Sequence, residues 1–189
     1  MKNILMKVLL VFVLFFVSAT QAASPERMAE QYYLYVDANQ WNELADMFHE
    51  SALSDFKAKL LPTLKPINHS GKSGLLKKTF GKNATYEDAK KSSNKKFFIN
   101  VVGNVASLVR TTGIKNTQTN IIGKTPEGDD VVHVLVRESY KLGDIEIANM
   151  EVLSFKKSGD DWALLLSGKI RGLVQTLQTS TYQLRQRRK

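Results

Sequence analysis

The strongest constraint on what this chain can fold into is a change of hydrophobic period near residue 116. Upstream, apolar residues recur at helical spacing. Trp41, Leu44, Ala45 and Phe48 stand at i, i+3, i+4 and i+7, one face of a helix. Phe98, Val101, Val102, Val105, Leu108 and Val109 keep the same spacing across residues 94–110, so that segment reads as helix despite its β-branched residues and an internal Gly103. Downstream, the pattern alternates with period two. It predicts four strands, at about 117–124, 130–141, 145–156 and 161–168, separated by Pro126-Glu127-Gly128-Asp129, Gly143-Asp144 and Ser158-Gly159-Asp160. Helical spacing returns with Ile170, Leu173, Val174 and Leu177. Helices followed by strands in short-turn succession specify an α+β fold. The expectation is N-terminal helices packed on a C-terminal four-stranded curved antiparallel meander, with a short C-terminal helix.

Local signals divide the helical part. Ser24-Pro25-Glu26 supplies a cap, a proline at the first helical position and an acid in the first turn. That helix runs to about Val36 and is broken by Asp37-Ala38-Asn39. A second helix covers residues 40–49. Ser54 opens a third, stopped at Pro62. Residues 64–74 read as a loop, 75–80 as one or two helical turns ended by Gly81, and Thr85-Tyr86-Glu87-Asp88 as a capping signal.

Lys2 and Lys7 form a positive segment ahead of an apolar run over residues 8–17, which is followed by small residues. About ten residues is too short for a helix across roughly 30 Å of hydrocarbon and fits the core of a secretory signal peptide. Cleavage is expected after Ala22, with Ala23 as the neighbouring site. The reading is therefore a signal peptide over 1–22, one domain over 23–180 (helices about 24–110, sheet about 117–168) and a basic tail over 181–189. It implies a periplasmic or extracellular protein with no transmembrane segment after cleavage.

The chain has no cysteine, which excludes disulfides, thiolate metal sites, a cysteine nucleophile and a lipid-bearing cysteine. His49, His69 and His133 lack metal-ligand spacing, so no metal and no cofactor is expected. Gly71-Lys72-Ser73 matches the end of a phosphate-binding loop, but Pro66 occupies the position of its first glycine and no buried strand precedes it. Charge is uneven. Residues 23–56 hold one arginine against seven carboxylates, whereas residues 57–96 hold eleven lysines against Glu87 and Asp88. Lys72, Lys77, Lys78, Lys90, Lys91, Lys95 and Lys96 form the candidate basic patch. Such a patch suits an anionic envelope polymer or lipid, and export argues against nucleic acid.

A two-residue turn at Gly143-Asp144 fixes a register, because glycine at its first position suits a type II′ hairpin. Glu138 then faces Asn149, and Val136 faces Glu151. One sheet face carries Val132, Val134, Val136, Glu138 and Tyr140 opposite Ile147, Asn149, Glu151, Leu153 and Phe155. On it Glu138 and Glu151 are diagonal neighbours, near enough to divide acid and base roles. His133 and Arg137 fall on the other face. Glu138, Glu151 and His133 are the catalytic candidates. Tyr32, Tyr35, Trp41, Tyr140 and Asn149 are the candidate lining of a ligand pocket. The alternative is structural: the carboxylates pair with lysines and the aromatics are core.

The stretch YYLYVDANQWNELADMFHESAL, with GKTPEGDDVVHVLVRESYKLGD and the closing GDDWALLLSGKI, resembles nuclear transport factor 2-like proteins, also called SnoaL-like or cystatin-like, and among them uncharacterised exported bacterial members. The resemblance covers most of residues 23–189 as a pattern. It departs at the lysine-rich insert between about Leu61 and Arg110. It implies a sheet wrapped around a cavity, in a group that holds isomerases, dehydratases, cyclases and non-enzymatic binders, so fold alone selects no activity. The leading expectation is an exported binder of a small apolar or amphipathic ligand or of an envelope partner. An isomerase- or dehydratase-like enzyme and a basic module for anionic envelope components are the alternatives.

Overall fold

A computed structural model describes residues 23–65 and 74–186. The expected signal peptide, the Gly71-Lys72-Ser73 match, His69, Lys72 and residues 187–189 lie outside the described residues. Helices α1 (Pro25–Ala38), α2 (Trp41–Asp46) and α3 (Glu50–Leu60) come first, and α3 runs on into a 3₁₀ turn, Leu61–Leu64. Then follow α4 (Gly74–Phe80), α5 (Tyr86–Lys91) and the long α6 (Asn94–Arg110). Strands β1 (Lys115–Glu127), β2 (Val131–Leu142), β3 (Ile145–Ser158) and β4 (Asp161–Leu164) pair in sequence order, all antiparallel, and α7 (Gly168–Gln186) closes the domain. The fold is α+β.

Caps explain several boundaries. The Ser24 side chain accepts from the Arg27 amide, and Asn39 ends α1 in the left-handed conformation at φ 59°. Thr85 and Asp88 form a reciprocal capping box at α5. The third helix starts one turn before Ser54, because the His49 imidazole accepts from the Ser51 amide and so caps it. Helix α2 ends at Asp46 instead of near residue 49. There Met47 to His49 turn to meet β4: the Leu164 amide donates to the Met47 carbonyl at 2.7 Å, and the His49 amide to the Leu164 carbonyl at 2.9 Å. Strand β4 is shorter than its alternating pattern. Beyond Leu164 the Ser167 hydroxyl accepts from the Ser154 amide, and Gly168 at φ 53° turns the chain into α7. The C-terminal helix is correspondingly longer than expected.

Helix α6 holds despite Gly103. A Cβ there would stand 3.3 Å from the Trp41 ring, so the missing side chain lets α2 pack close against α6. Phe48, Phe56, Phe97 and Phe98 interlock beneath it, with Phe56 and Phe98 centroids 5.0 Å apart. Val134, Val136, Leu153 and Phe155 on the sheet complete this core.

The hairpin is the expected one. Gly143 has φ 59°, and the pairs Leu142–Ile145, Glu138–Asn149 and Val136–Glu151 all occur. The inner sheet face therefore runs from a dry end at Val134 and Phe155 to an end that carries both glutamates.

Candidate functional site

Glu138 is fully buried on β2, and Glu151 is 4 % exposed on β3. Buried carboxylates of this kind need charge or hydrogen-bond partners. Both are supplied from the two ends of the chain. Tyr33 on α1 donates its hydroxyl to Glu151 Oε2 at 2.6 Å. The backbone amide of Lys169, at the start of α7, donates to Glu151 Oε1 at 2.5 Å. The Lys169 ammonium pairs with Glu138 Oε1, donates to the Tyr140 hydroxyl and lies 3.7 Å from Glu151 Oε2. Tyr140 in turn donates to Glu138 Oε1. The ammonium also sits over the Tyr140 ring, 4.7 Å from its centroid, and 5.6 Å from that of Tyr33.

The turn before α7 is shaped for this contact. At Gly168, besides its positive φ, a Cβ would stand 2.8 Å from the Glu151 carboxyl carbon and collide with its oxygen. Only glycine leaves room for the carboxylate to reach the Lys169 amide.

Burial raises the Glu151 carboxyl above the ordinary glutamate range, and the neighbouring Glu138 charge adds to this; the Tyr33 hydroxyl, the Lys169 amide and the Lys169 charge pull the other way. Tyr33 and Tyr140 are held far above the usual phenol range, by burial first and then by the adjacent carboxylates, so both remain protonated donors. Tyr32, fully buried beside them, is raised by the same causes.

The cluster floors a cavity of about 380 Å³ between α1, α2, α6 and α7. Its walls are mainly apolar, with Val36, Trp41, Leu44, Val102, Val105 and Leu173 among them, and Asp37, Asn39, Asn116 and Arg110 complete the lining. Exposed Asp37 is raised by partial burial and by Glu138 and lowered by Lys169, which places it in the same electrostatic field.

Of the sequence-derived residues, Glu138, Glu151, Tyr32, Trp41 and Tyr140 gather at or beneath this cavity. Three others do not. Asn149 lies on the inner face, opposite Glu138, but it is exposed and does not line the cavity. Tyr35 lines a separate groove of about 770 Å³ with Met28, His49 and Trp162, in which no titratable group is buried. His133 is on the opposite sheet face, with Nδ1 against Ser154 Oγ at 2.9 Å and Nε2 against Glu127 at 2.6 Å, out of reach of the glutamates. Tyr33 and Lys169 were not among the sequence candidates. Two acids on an otherwise apolar strand face require a cation, and Lys169 directly after the last strand is placed to be one.

The lysine-rich region is partly structural. Lys57 donates to the carbonyls of Lys90 and Ser92, joining α3 to the end of α5, and Lys95 pairs with Asp46 at 2.5 Å. Lys90 stands 3.8 Å from Glu87. Lys78, Lys91 and Lys96 are exposed and Lys77 half-buried on α4 to α6. Among the described residues no histidine and carboxylate group is arranged to hold a metal ion, and no helix is long and apolar enough to cross a membrane. No protein-family model matches the chain, and no curated protein or solved structure matches it either.

Proposed function

We propose that this protein is an exported, non-enzymatic binder of a small amphipathic molecule, held in the cavity above Glu138 and Lys169. The observation that carries the reading is the composition of that cavity: apolar helix walls over a floor of buried, mutually fixed polar groups. Small-molecule sites have this character, with a few placed polar groups orienting a largely apolar ligand. The resemblance to nuclear transport factor 2-like chains, whose sheet wraps a cavity, points the same way.

Binding is favoured over catalysis by the state of the carboxylates. A general base needs a lone pair aimed at substrate. Both Glu151 oxygens already accept hydrogen bonds from Tyr33 and Lys169. Glu151 is thus engaged in holding the fold, and Glu138 alone does not supply the acid–base pair that an isomerase or dehydratase would require. The basic patch is a weaker basis for function, since Lys57 and Lys95 are tied into the structure.

The test is titration with 1-octanol, followed by Trp41 fluorescence in a Trp162→Phe background. Saturable binding is expected, and Val105→Phe, which fills the cavity from α6, abolishes it. Binding unchanged in Val105→Phe would remove this cavity from the function.

A further inference from the structure

Two side-chain oxygens are buried without a hydrogen-bond partner among the described residues, and they differ in kind. Glu26 Oε2 belongs to a surface carboxylate whose other oxygen meets Lys124 at 2.6 Å. Glu138 Oε2 belongs to a fully buried carboxylate in the lining of the cavity. Its sister oxygen takes both the Lys169 ammonium and the Tyr140 hydroxyl, so the local donors converge on one oxygen and leave the other open. An acceptor in that condition calls for a donor, and a charged donor satisfies it best.

The charge count selects the kind of donor. Glu138, Glu151 and Asp37 share one field, and Lys169 is the cation among them. Arg110, exposed on α6, is the remaining cation in the cavity lining. An incoming carboxylate would add to the negative excess, an alcohol would leave it unchanged, and an ammonium would relieve it. The Tyr33 and Tyr140 rings already face one ammonium, that of Lys169, and their surfaces suit another.

We infer that the ligand class is the amphipathic primary amine: its ammonium donates to Glu138 Oε2, and its apolar body lies along Val36, Trp41, Leu44 and Val105. This rests on the cavity being the binding site.

Calorimetric titration of the purified protein near neutral pH with octylamine, 1-octanol and octanoate, matched in chain length, tests it. Octylamine is expected to bind about tenfold or more tighter than octanol, with octanoate weakest. In Glu138→Gln the amine-to-octanol ratio falls by about tenfold, and in Asp37→Asn, at an exposed position, by about threefold. Circular dichroism checks that each variant is folded. If Glu138→Gln fails to fold, the wild-type order of the three ligands and the Asp37→Asn ratio decide. Octanoate binding as well as octylamine, or a ratio unmoved by the substitutions, overturns the inference. Octanol binding with no advantage for the amine sinks this inference and leaves the cavity reading standing. If none of the three binds, both fall.

Discussion

The two ends of the inner sheet face are buried alike and stabilised differently. At one end Val134, Leu153 and Phe155 pack against the phenylalanine cluster of α3 and α6. At the other, Glu138 and Glu151 occupy the same face at the same depth, held by Tyr33, Tyr140 and Lys169. The dry end gains from removing apolar surface from water, a non-directional contribution that tolerates shape-conserving change. The charged end bears the desolvation of two carboxylates and recovers it only while each donor stays in place. That makes the charged end a costly way to build a core and a natural place for a specific site. It also leaves one oxygen of Glu138, a residue of the cavity lining, without a hydrogen-bond partner among the described residues.

The contrast can be broken at either end. Phe155→Ala, at the dry end, should cost the most, about 4 kcal/mol in urea unfolding, and the same amount across the acid and neutral range because no charge is involved. A loss that varied with pH would show that the two ends are not independent. Lys169→Met should cost about 2 kcal/mol at neutral pH, since it leaves Glu138 buried without its cation while the half-exposed lysine itself gains little from solvent-screened contacts. Its cost should shrink in acid, where the Glu151 carboxyl, raised by burial and 3.7 Å from the ammonium, takes up a proton; a constant cost would mean that the lysine acts through its hydrocarbon stem.

The smallest effect sharpens the comparison most. Glu151 has a folded-state value raised above its unfolded one, chiefly by burial. The folded state therefore holds a proton that the unfolded state has released, and stability falls as pH rises through that window. The contribution is fully present below the unfolded value, about 4.3, and is lost above the raised folded value. Glu151→Gln cannot titrate, so this slope should flatten, and the stability difference between variant and wild type should shift in the variant's favour from acid to neutral pH. Parallel pH profiles would show that burial does not shift the Glu151 carboxyl.

Much of this contrast was legible in the amino-acid order. The two-residue turn at Gly143-Asp144 determines which residues oppose each other, and strict alternation then puts Glu138 and Glu151 on the core face. Alternation assigns a face, however, and not what covers it. Asn149 shares that face, directly opposite buried Glu138, and yet stands in solvent. Tyr33 is not marked by periodicity, because Met28, Tyr32, Tyr35 and Val36 already supply an apolar face at helical spacing in α1. Its ring meets Tyr32 edge-on, with centroids 5.0 Å apart, and turns its hydroxyl to the sheet. Lys169 was hidden by distance: it follows Glu151 by 18 positions and reaches it only through the β3–β4 hairpin and the turn at Gly168. The burial of two acids on one sheet face is itself the signal for such a residue.

The missing side chain at Gly168 has a consequence for how α7 begins. Its first turn contains no acidic residue of its own. A helix start exposes amides and the positive end of the peptide dipoles, and it is ordinarily met by a local acid or cap. Here the anion is Glu151, delivered from the neighbouring strand through the gap that the glycine leaves. The last helix is thus capped by the sheet instead of by an acid of its own first turn. Its first turn and the cavity floor are one mechanical unit, because the amide and the ammonium of a single residue hold the two carboxylates together.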